Sequence, residues 1–412
     1  MKDTKKNVII SIGFVMILII VFIANIIKKD EKISISERRK LEQFPVITAK
    51  EIFNGNVSKK FEKYATDQFV KRDDLRKLKT FFNFEIYKQK DNNKLIVKDN
   101  MIYKMEYPLN KEAIHKTSKK LGEIEDKYLK DMNIYYSIIP DKSYFLDDSY
   151  LKMDYQEMQK ILDSNLKNAK YIDIFKELSK EDYYKTDIHW KQEKLRKVVN
   201  KIEKDMNLKD TSKIKYEENE IGEFYGSLYG QLGYEIEADK IKYLTNDTIE
   251  ECKTYNYETK ENGKVYDLQK YKNSNDKYDI YLSGPTSLIS IENPNAYNDK
   301  ELLLFRDSFG SSIAPLLIEN YRKITLIDLR YINSEILTEY IEFKNQDVLF
   351  LYSGVVLNQN ILKWFNKEYI KVLFKLLMYS FKYKVKLNSI LKFTILWCSR
   401  ERNYITNILH TS

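Results

Sequence analysis

The sequence predicts an α/β fold in which helices cover both faces of a parallel sheet, preceded by one transmembrane helix. Short apolar runs rich in β-branched and aromatic residues alternate with helix-length segments, which is the pattern of buried parallel strands. A length of 412 residues, 43% of them hydrophobic, is sufficient for such a core. The strand candidates are Ile134–Ile139, Tyr278–Leu282, Leu302–Phe305, Ile324–Ile327 and Val348–Tyr352.

The first predicted element is an apolar segment near the N-terminus. Val8–Ile27 contains 20 residues without a charge, which is long enough for a helix to cross a hydrocarbon core. Three lysines precede it, as in a signal sequence, but no A-x-A cleavage site follows Ala24. We therefore expect residues 1–7 to be a cytoplasmic tail and residues 8–27 an uncleaved signal anchor. A cleaved signal peptide is the alternative.

The basic residues after the span bear on its orientation. Six lysines and arginines lie between Lys28 and Lys40, and simple Lys/Arg counting would keep that side in the cytoplasm. A short basic N-terminal tail is nevertheless the usual arrangement of a signal anchor. We expect the protein to cross the cell membrane once, with its body outside the cytoplasm.

Residues 28–100 have the character of a stalk and a helical lead-in. The stalk is polar and mixed in charge, with Pro45 as a breaker. Phe61–Phe82 then places aromatic and aliphatic residues at helical spacing. We interpret this aromatic stripe as core packing.

Residues 101–360 are predicted to form the main α/β domain. Gln156–Leu166 and Lys191–Met206 have the spacing of amphipathic helices, and Ala314–Tyr321 would cross between two strands. Asn207–Lys270 is irregular and rich in tyrosine, so no element is predicted there.

The net charge of +9 is concentrated at the C-terminus. Phe365–Ser412 carries nine basic and two acidic residues, a net +7, which leaves +2 for the rest of the chain. A nucleic-acid partner is therefore not indicated. Residues 361–412 form a basic, apolar tail with helical spacing in Tyr369–Phe381. Binding to anionic lipid and an aberrant extension of the reading frame both remain open for this tail.

Cysteine and histidine are scarce. Cys252 and Cys398 could form one disulfide but make no framework, and only three histidines are present. No zinc-ligand spacing occurs, so we expect neither a metal nor another cofactor.

The first segment that can carry chemistry is Thr186-Asp187-Ile188-His189-Trp190. Residues two apart on an extended backbone point the same way, so Asp187 and His189 can reach one site. An aspartate beside a histidine can fix the imidazole tautomer and stabilise its cation. For the tripeptide alone, a surface aspartate beside a hydrogen-bonded histidine is the more common arrangement.

The second segment is the end of the strand candidate Leu302–Phe305 and the turn Arg306-Asp307-Ser308-Phe309-Gly310. A nucleophile between a strand and a helix gains exposed backbone N–H groups and a favourable dipole. These N–H groups could bind the oxyanion of a tetrahedral intermediate. The alternative is a serine that caps the helix.

Together the two segments resemble the DHHW protein family, which is related to the alginate O-acetyltransferases of the SGNH-hydrolase-like superfamily. The resemblance covers about Ser36 to Asn360, although Ile188 stands where the family name has its first histidine. Further matching segments are Ser36–Leu41 with Phe44-Pro45, Tyr64–Phe69 with Arg72-Asp73, Ile138–Lys142 and Tyr183–Lys185.

The resemblance implies a Ser-His-Asp triad with Ser308 as nucleophile, His189 as general base and Asp187 as the residue that orients it. It implies an extracytoplasmic O-acyltransferase, acetyl being the expected group, that modifies hydroxyls of a cell-surface or exopolysaccharide. The acyl donor would come through a membrane-bound O-acyltransferase partner. A carbohydrate esterase with the same triad and a non-catalytic polysaccharide-binding accessory protein are the alternatives.

Three further residues are candidates for binding the substrate or oxyanion. Gly310 contributes a backbone N–H next to Ser308. Arg330 and Tyr352 follow the next two strand candidates, at the sheet edge where α/β proteins place their ligands. Purely structural roles are the alternative for this pair.

Overall fold

The computed structural model describes residues 2–34, 36–37, 39–48 and 56–362. They form two compact units. Among the described residues, the smaller comprises residues 2–92 and Tyr229–Glu235, and the larger comprises Asn93–Leu228 and residues 236–362. Cys398 and residues 363–412 of the predicted tail lie outside the described residues.

The described secondary structure alternates between helices and strands over most of the larger unit. The α-helices are α1 (Lys2–Ile27), α2 (Asn56–Asp67), α3 (Arg72–Phe81), α4 (Lys111–Tyr128), α5 (Tyr155–Asp163), α6 (Arg196–Asp205), α7 (Ser227–Leu232), α8 (Asp247–Glu251), α9 (Leu268–Asn273), α10 (Phe309–Leu317) and α11 (Gly354–Gln359). The strands are β1 (Ile33–Ser34), β2 (Arg39–Lys40), β3 (Leu95–Lys98), β4 (Met101–Lys104), β5 (Asn133–Ile139), β6 (Lys170–Tyr171), β7 (Glu217–Phe224), β8 (Asp239–Thr245), β9 (Lys253–Asn256), β10 (Glu261–Gly263), β11 (Leu288–Glu292), β12 (Glu301–Arg306), β13 (Lys323–Ile327) and β14 (Asp347–Ser353). Single 3₁₀ turns at Lys142–Phe145, Phe175–Glu177, Lys180–Asp182, Gln192–Lys194, Lys277–Ile280, Ile318–Asn320 and Ser334–Glu339 and a π turn at Phe82–Ile86 complete the helices.

The larger unit is built on an eight-stranded sheet with the order β10-β9-β11-β13-β12-β14-β5-β6. The pairs β13–β12, β12–β14, β14–β5 and β5–β6 are parallel, whereas β10, β9 and β11 add antiparallel strands at one side. The predicted strands at β5, β12, β13 and β14 are confirmed to within one residue at each end. The α/β class predicted from the sequence is also confirmed.

Both faces of the sheet centre are covered, which explains why β12, β13 and β14 consist mostly of apolar residues. In β12, Leu302 and Leu304 belong to one buried cluster, and Leu303 and Phe305 belong to the other. Helices α6 and α10 supply the first cluster, and α4, α5 and α11 supply the second. Each fully buried side chain of this kind stabilises the fold by about 1.5–3 kcal/mol, so the sheet centre holds the turn after β12 rigidly.

The predicted strand at Tyr278–Leu282 is wrong. Lys277–Ile280 forms a 3₁₀ turn, which the Asp276 side chain caps by accepting from the Tyr278 N–H. The run is apolar because nearly all of it is buried. A short run that is mostly apolar does not separate a strand from a buried helical turn by periodicity.

The segment without a predicted element, Asn207–Lys270, contains two pieces of β-structure. Strands β7 and β8 form an antiparallel hairpin with an irregularity at Glu220/Gly222. Strands β9 and β10 pair with each other and extend the central sheet through β11. These four strands keep exposed or partly exposed residues along much of their length, so they lack the apolar runs of the sheet centre.

In the smaller unit, α1 contains the apolar segment. Lys5–Ile27 is long and apolar enough to cross a membrane, and it could equally be a signal sequence. The stalk that follows folds back, because Gln68 donates to the carbonyls of Glu31 and Glu42 and accepts from the Glu31 N–H.

The interpretation of the aromatic stripe as core packing is wrong. Its helical spacing is confirmed by α2 and α3, but Phe61, Leu78 and Phe81 are 49%, 50% and 48% exposed. Periodicity shows that residues share a helix face and does not show what covers that face.

Candidate active site

Ser308 lies in the turn that joins β12 to α10. Its backbone is helical, with φ −59° and ψ −27°, and its hydroxyl makes no capping bond to the helix. The Oγ atom instead lies 2.7 Å from His189 Nε2. The alternative of a helix-capping serine is therefore not what the structure contains.

His189 and Asp187 occupy a tight loop rather than an extended strand. The bridge between Tyr183 and Trp190 closes the loop, and the Tyr184 N–H donates to the His189 carbonyl at 3.0 Å. Within it, His189 Nδ1 lies 2.5 Å from Asp187 Oδ1. The three predicted triad residues thus form one chain of hydrogen bonds, from Asp187 through His189 to Ser308.

Asp187 is wholly buried, and backbone groups compensate its charge. Its Oδ1 also accepts from the His189 N–H at 3.0 Å, and its Oδ2 accepts from the Ser227 N–H at 2.7 Å. The absence of a side chain at Gly226 allows the backbone to come this close to Asp187, because a Cβ atom at Gly226 would lie 2.2 Å from Asp187 Cβ. Neither Gly226 nor Ser227 was predicted as a site residue, since nothing in their local sequence points to Asp187.

Aromatic rings hold the imidazole of His189 on two sides. Tyr278 stacks on it with ring centroids 4.0 Å apart and planes 10° from parallel, and Phe309 lies 4.8 Å away. Burial holds the pKa of Tyr278 well above its ordinary value, so this ring stays neutral. Stacking of this kind limits rotation of the imidazole and keeps Nε2 aimed at Ser308.

Ser312 in α10 ties these rings to the nucleophile helix. Its Oγ accepts from the Trp190 indole N–H at 2.9 Å and from the Tyr278 hydroxyl at 2.7 Å. The Trp190 indole also donates to the Phe309 carbonyl at 3.2 Å. The acid–base loop and the nucleophile turn are therefore joined by bonds other than the one between His189 and Ser308.

Asp307 fixes the turn that carries Ser308. Its Oδ1 accepts from the Phe309 N–H at 3.0 Å. Its Oδ2 accepts from the N–H and the hydroxyl of Ser353, at the end of β14, at 2.8 and 2.7 Å. The turn is thus anchored both to its own helix and to the neighbouring strand.

The backbone N–H groups of Ser308, Phe309 and Gly310 differ in whether they already donate a hydrogen bond. Phe309 N–H is bonded to Asp307, and Gly310 N–H donates to the Asp307 carbonyl at 3.1 Å. Within the described ranges, Ser308 N–H is the one of the three without an acceptor. Gly310 also packs closely against the strand end, because a Cβ there would lie 2.5 Å from Arg306 Cβ.

Arg330 and Tyr352 are not in hydrogen-bond contact with Ser308 or His189. The Arg330 guanidinium forms a bidentate ion pair with Asp328, donating from Nε to Oδ1 at 2.9 Å and from Nη2 to Oδ2 at 2.7 Å. Tyr352 is buried in the core, and its hydroxyl has no partner among the described residues. Arg306, which was not predicted, is also fully buried, 3.4 Å from Asp328 Oδ2.

The remaining side chains that support the site come from distant segments. Asp239, at the start of β8, accepts from the N–H groups of Lys185 and Thr186 at 2.7 and 2.8 Å. Lys142 approaches the same loop from another element. No cluster of three histidine, cysteine, aspartate or glutamate residues suited to a metal ion occurs within the described part of the chain.

Part of the chain matches a known protein family. Residues 146–327 match the family described as DHHW protein. This match confirms the family resemblance and includes all three triad residues. No curated protein matches the chain.

Several solved structures share the fold. A DHHW family protein from Eubacterium siraeum DSM 15702 has a TM-score of 0.53 and 18% identity, over 66% of this chain and 94% of that chain. Bacillus cereus PatB1 has a TM-score of 0.52 and 20% identity, over 66% of this chain and 100% of that chain. A second PatB1 structure, with a sulfonyl adduct, has a TM-score of 0.53 and 20% identity, over 65% and 97% of the two chains.

Proposed function

We propose, from the match of residues 146–327 to the family described as DHHW protein, that the chain is an extracytoplasmic O-acyltransferase. It would modify hydroxyls of a cell-surface or exopolysaccharide, with acetyl as the transferred group. The observation that carries the proposal is the hydrogen-bonded chain of Ser308, His189 and Asp187, at 2.7 and 2.5 Å. A serine, a histidine and a buried aspartate in this order can perform acyl transfer on any fold that aligns them.

The geometry supports a two-step reaction through an acyl-enzyme. Ser308 Oγ attacks the carbonyl carbon of the acyl donor, and its proton passes to His189 Nε2. Asp187 accepts from His189 Nδ1 and stabilises the imidazolium that forms. The Ser308 N–H is available to donate to the oxyanion. Collapse of the intermediate returns the proton from His189 to the leaving group and leaves an ester on Ser308.

The second step transfers the acyl group to the polysaccharide. A sugar hydroxyl gives its proton to His189 Nε2 and attacks the ester carbonyl, and Ser308 leaves with the proton that His189 returns. The product is an O-acylated sugar and free enzyme. All proton transfers use residues of this chain, so the reaction as proposed requires neither a metal nor an organic cofactor.

The donor must be supplied from elsewhere in the envelope. Acyl-coenzyme A is a cytoplasmic compound, and the body of the protein is proposed to lie outside. We propose a membrane-bound O-acyltransferase as the partner that passes the acyl group across the membrane. An N-terminal anchor would keep the DHHW domain near such a partner.

The sulfonyl adduct of PatB1 suggests a direct test of the nucleophile. Sulfonyl fluorides modify serines that an adjacent base activates. We propose that such a reagent modifies Ser308 in this chain, and peptide mass spectrometry would identify the labelled residue.

Two other functions use the same fold. With water as the acceptor, Ser308 and His189 would make a carbohydrate esterase. With an idle triad, the protein would be a polysaccharide-binding accessory protein. The bond between Ser308 and His189 favours the two catalytic functions over the accessory role.

A Ser308→Ala strain separates the three functions in cells. A transferase predicts that O-acylation of the envelope polysaccharide falls, because the acyl-enzyme no longer forms. An esterase predicts that acylation rises, and an accessory protein predicts that it does not change. Ester-linked acetate released from purified polysaccharide by mild alkali is the measurement, with protein abundance checked by immunoblot.

The location of the body is tested separately. If α1 crosses the membrane with the body outside, protease added to intact protoplasts should digest the chain from about Lys28 onward. Digestion after lysis serves as the control for intrinsic resistance. Full protection in intact protoplasts would contradict the proposed topology.

A further inference from the structure

We propose that Lys142 is a positioning residue for the acid–base pair, and that its ammonium group holds the loop that carries Asp187 and His189. The inference rests on the proposed function, because it assigns a role toward the same triad. Lys142 follows β5 and is almost completely buried. It touches neither Ser308 nor the His189 ring by hydrogen bond, so its effect passes through the loop.

The contacts of Lys142 converge on backbone carbonyls of that loop. Its Nζ donates to the carbonyl oxygens of Tyr184, Lys185 and Asp187, at 2.6, 3.2 and 3.0 Å. A protonated amine has three N–H donors, which equals the number of these acceptors. The ammonium therefore bonds three carbonyls in the first half of the loop, including that of Asp187, the residue that orients His189.

Asp239 holds the N–H groups of the same loop. It accepts from the backbone of Lys185 and Thr186 and, at 2.6 Å, from the Thr186 hydroxyl. A cation thus binds the carbonyls of the loop, and an anion binds its N–H groups. Two opposite charges from separate elements, β8 and the turn after β5, compensate the loop's backbone polarity.

The protonation state of Lys142 is finely balanced. Burial lowers its pKa to about 7, and the nearby charge of Lys191 acts in the same direction. The carboxylates of Asp239 and Asp187 oppose this and raise the pKa. The Tyr103 ring, 5.5 Å from Nζ, also faces the ammonium, and burial raises the pKa of that phenol to about 12, so it carries no charge near neutrality.

Loss of the Lys142 proton would loosen the loop. A neutral amine has two N–H donors, so one of the three carbonyls loses its bond. Activity should then fall as the pH rises through about 7. The free energy of unfolding should change in the opposite direction. Below about pH 7 Lys142 is protonated in both the folded and the unfolded chain, and its burial then lowers the free energy of unfolding. Between about pH 7 and 10.5 only the unfolded chain binds this proton, so the free energy of unfolding rises with pH.

The test compares pH profiles of three variants in the full-length chain. Lys142→Met keeps the length of the side chain and removes every N–H donor. Lys120→Met is the matched control, because Lys120 is also buried with a lowered pKa but lies in α4. Asp239→Asn removes a charge that raises the pKa of Lys142. The readout is kcat and KM for an activated ester, 4-nitrophenyl acetate, from pH 5.5 to 9.

We expect Lys142→Met to lower kcat by about tenfold to a hundredfold with little change in KM, since small displacements of a catalytic group have effects of this size. It should also lack the alkaline fall in kcat of the native protein. Lys120→Met should keep that fall, and Asp239→Asn should move it to lower pH. The inference is overturned if Lys142→Met keeps the alkaline fall, or if the native protein has none.

These outcomes are distinct from failure of the proposed function. Should Ser308→Ala hydrolyse the ester as fast as the native chain, the triad is idle and the proposed function fails. If Ser308 is essential while the Lys142→Met profile equals the native one, only the role of Lys142 is lost. If Lys142→Met fails to fold, the pH profiles of Asp239→Asn and of the native protein still test the role of Lys142.

Discussion

Replacing Ser308 with alanine should lower acyl transfer by at least about a thousandfold. The change removes the atom that lies 2.7 Å from His189 Nε2 and forms the acyl-enzyme. Residual activity would come from substrate binding and the N–H groups that remain. Acetyl transfer from an activated ester to glycan oligomers, followed by mass spectrometry, measures the effect. An unchanged transfer rate would contradict the proposed nucleophile.

The matched experiment tests whether Ser308 and His189 act as a unit. His189→Ala and the double variant should each lose about as much activity as Ser308→Ala, because either change disables the same step. Thermal denaturation should show little change for Ser308→Ala, since its side chain is partly exposed and caps no helix. If the loss of activity in the double variant equals the product of the two single losses, the two residues act independently.

Replacing Asp187 with asparagine should lower kcat by about 10³- to 10⁴-fold. The carboxylate accepts from three N–H groups, on His189 twice and on Ser227. An amide must present an N–H to one of them, so it favours the wrong imidazole tautomer and provides no charge for the imidazolium. Initial rates with the same activated ester, measured from pH 6 to 9, provide the readout.

Asp154→Asn is a control for the exchange of a carboxylate for an amide. Asp154 caps α5 by accepting from the Glu157 N–H at 2.9 Å, and it is exposed. Its variant should keep nearly full activity. If Asp154→Asn and Asp187→Asn lost equal activity, the exchange would be acting on folding rather than on the tautomer and charge of the His189 imidazole.

The triad could be predicted because two short segments together resemble the DHHW family, although each segment alone also has a structural interpretation. Ser308 follows an apolar strand, and Asp187 and His189 lie two residues apart in the motif. The expected geometry was nevertheless different in detail, since the pair occupies a closed turn whose shape depends on Tyr183 and Trp190. The bonds to Asp239 and the close approach of Gly226 could not be predicted, because they join segments about 40 to 50 residues away in the chain.

The central strands were predicted for a similar reason. Burial on both faces makes β12, β13 and β14 continuously apolar, which is visible in one sequence. Strands β9 and β10, at one side of the sheet, are short and mostly not buried, and they have no such run. Tyr278 shows the opposite difficulty. Tyr278 packs on His189, and most of the rest of its segment is buried in the core without forming a strand. The sequence does not separate this origin of the apolar pattern from a strand.

The position of β12 between β13 and β14 has a consequence for how the protein is made. Both neighbours follow β12 in the chain, and Asp307 needs the N–H of Ser353 to complete the nucleophile turn. A polypeptide leaves the ribosome N-terminus first. A nascent chain that ends before Ser353 therefore contains Asp187, His189 and Ser308 without the strand that sets their alignment. Premature termination between Ser308 and Ser353 would release a product that contains all three triad residues but no assembled active centre.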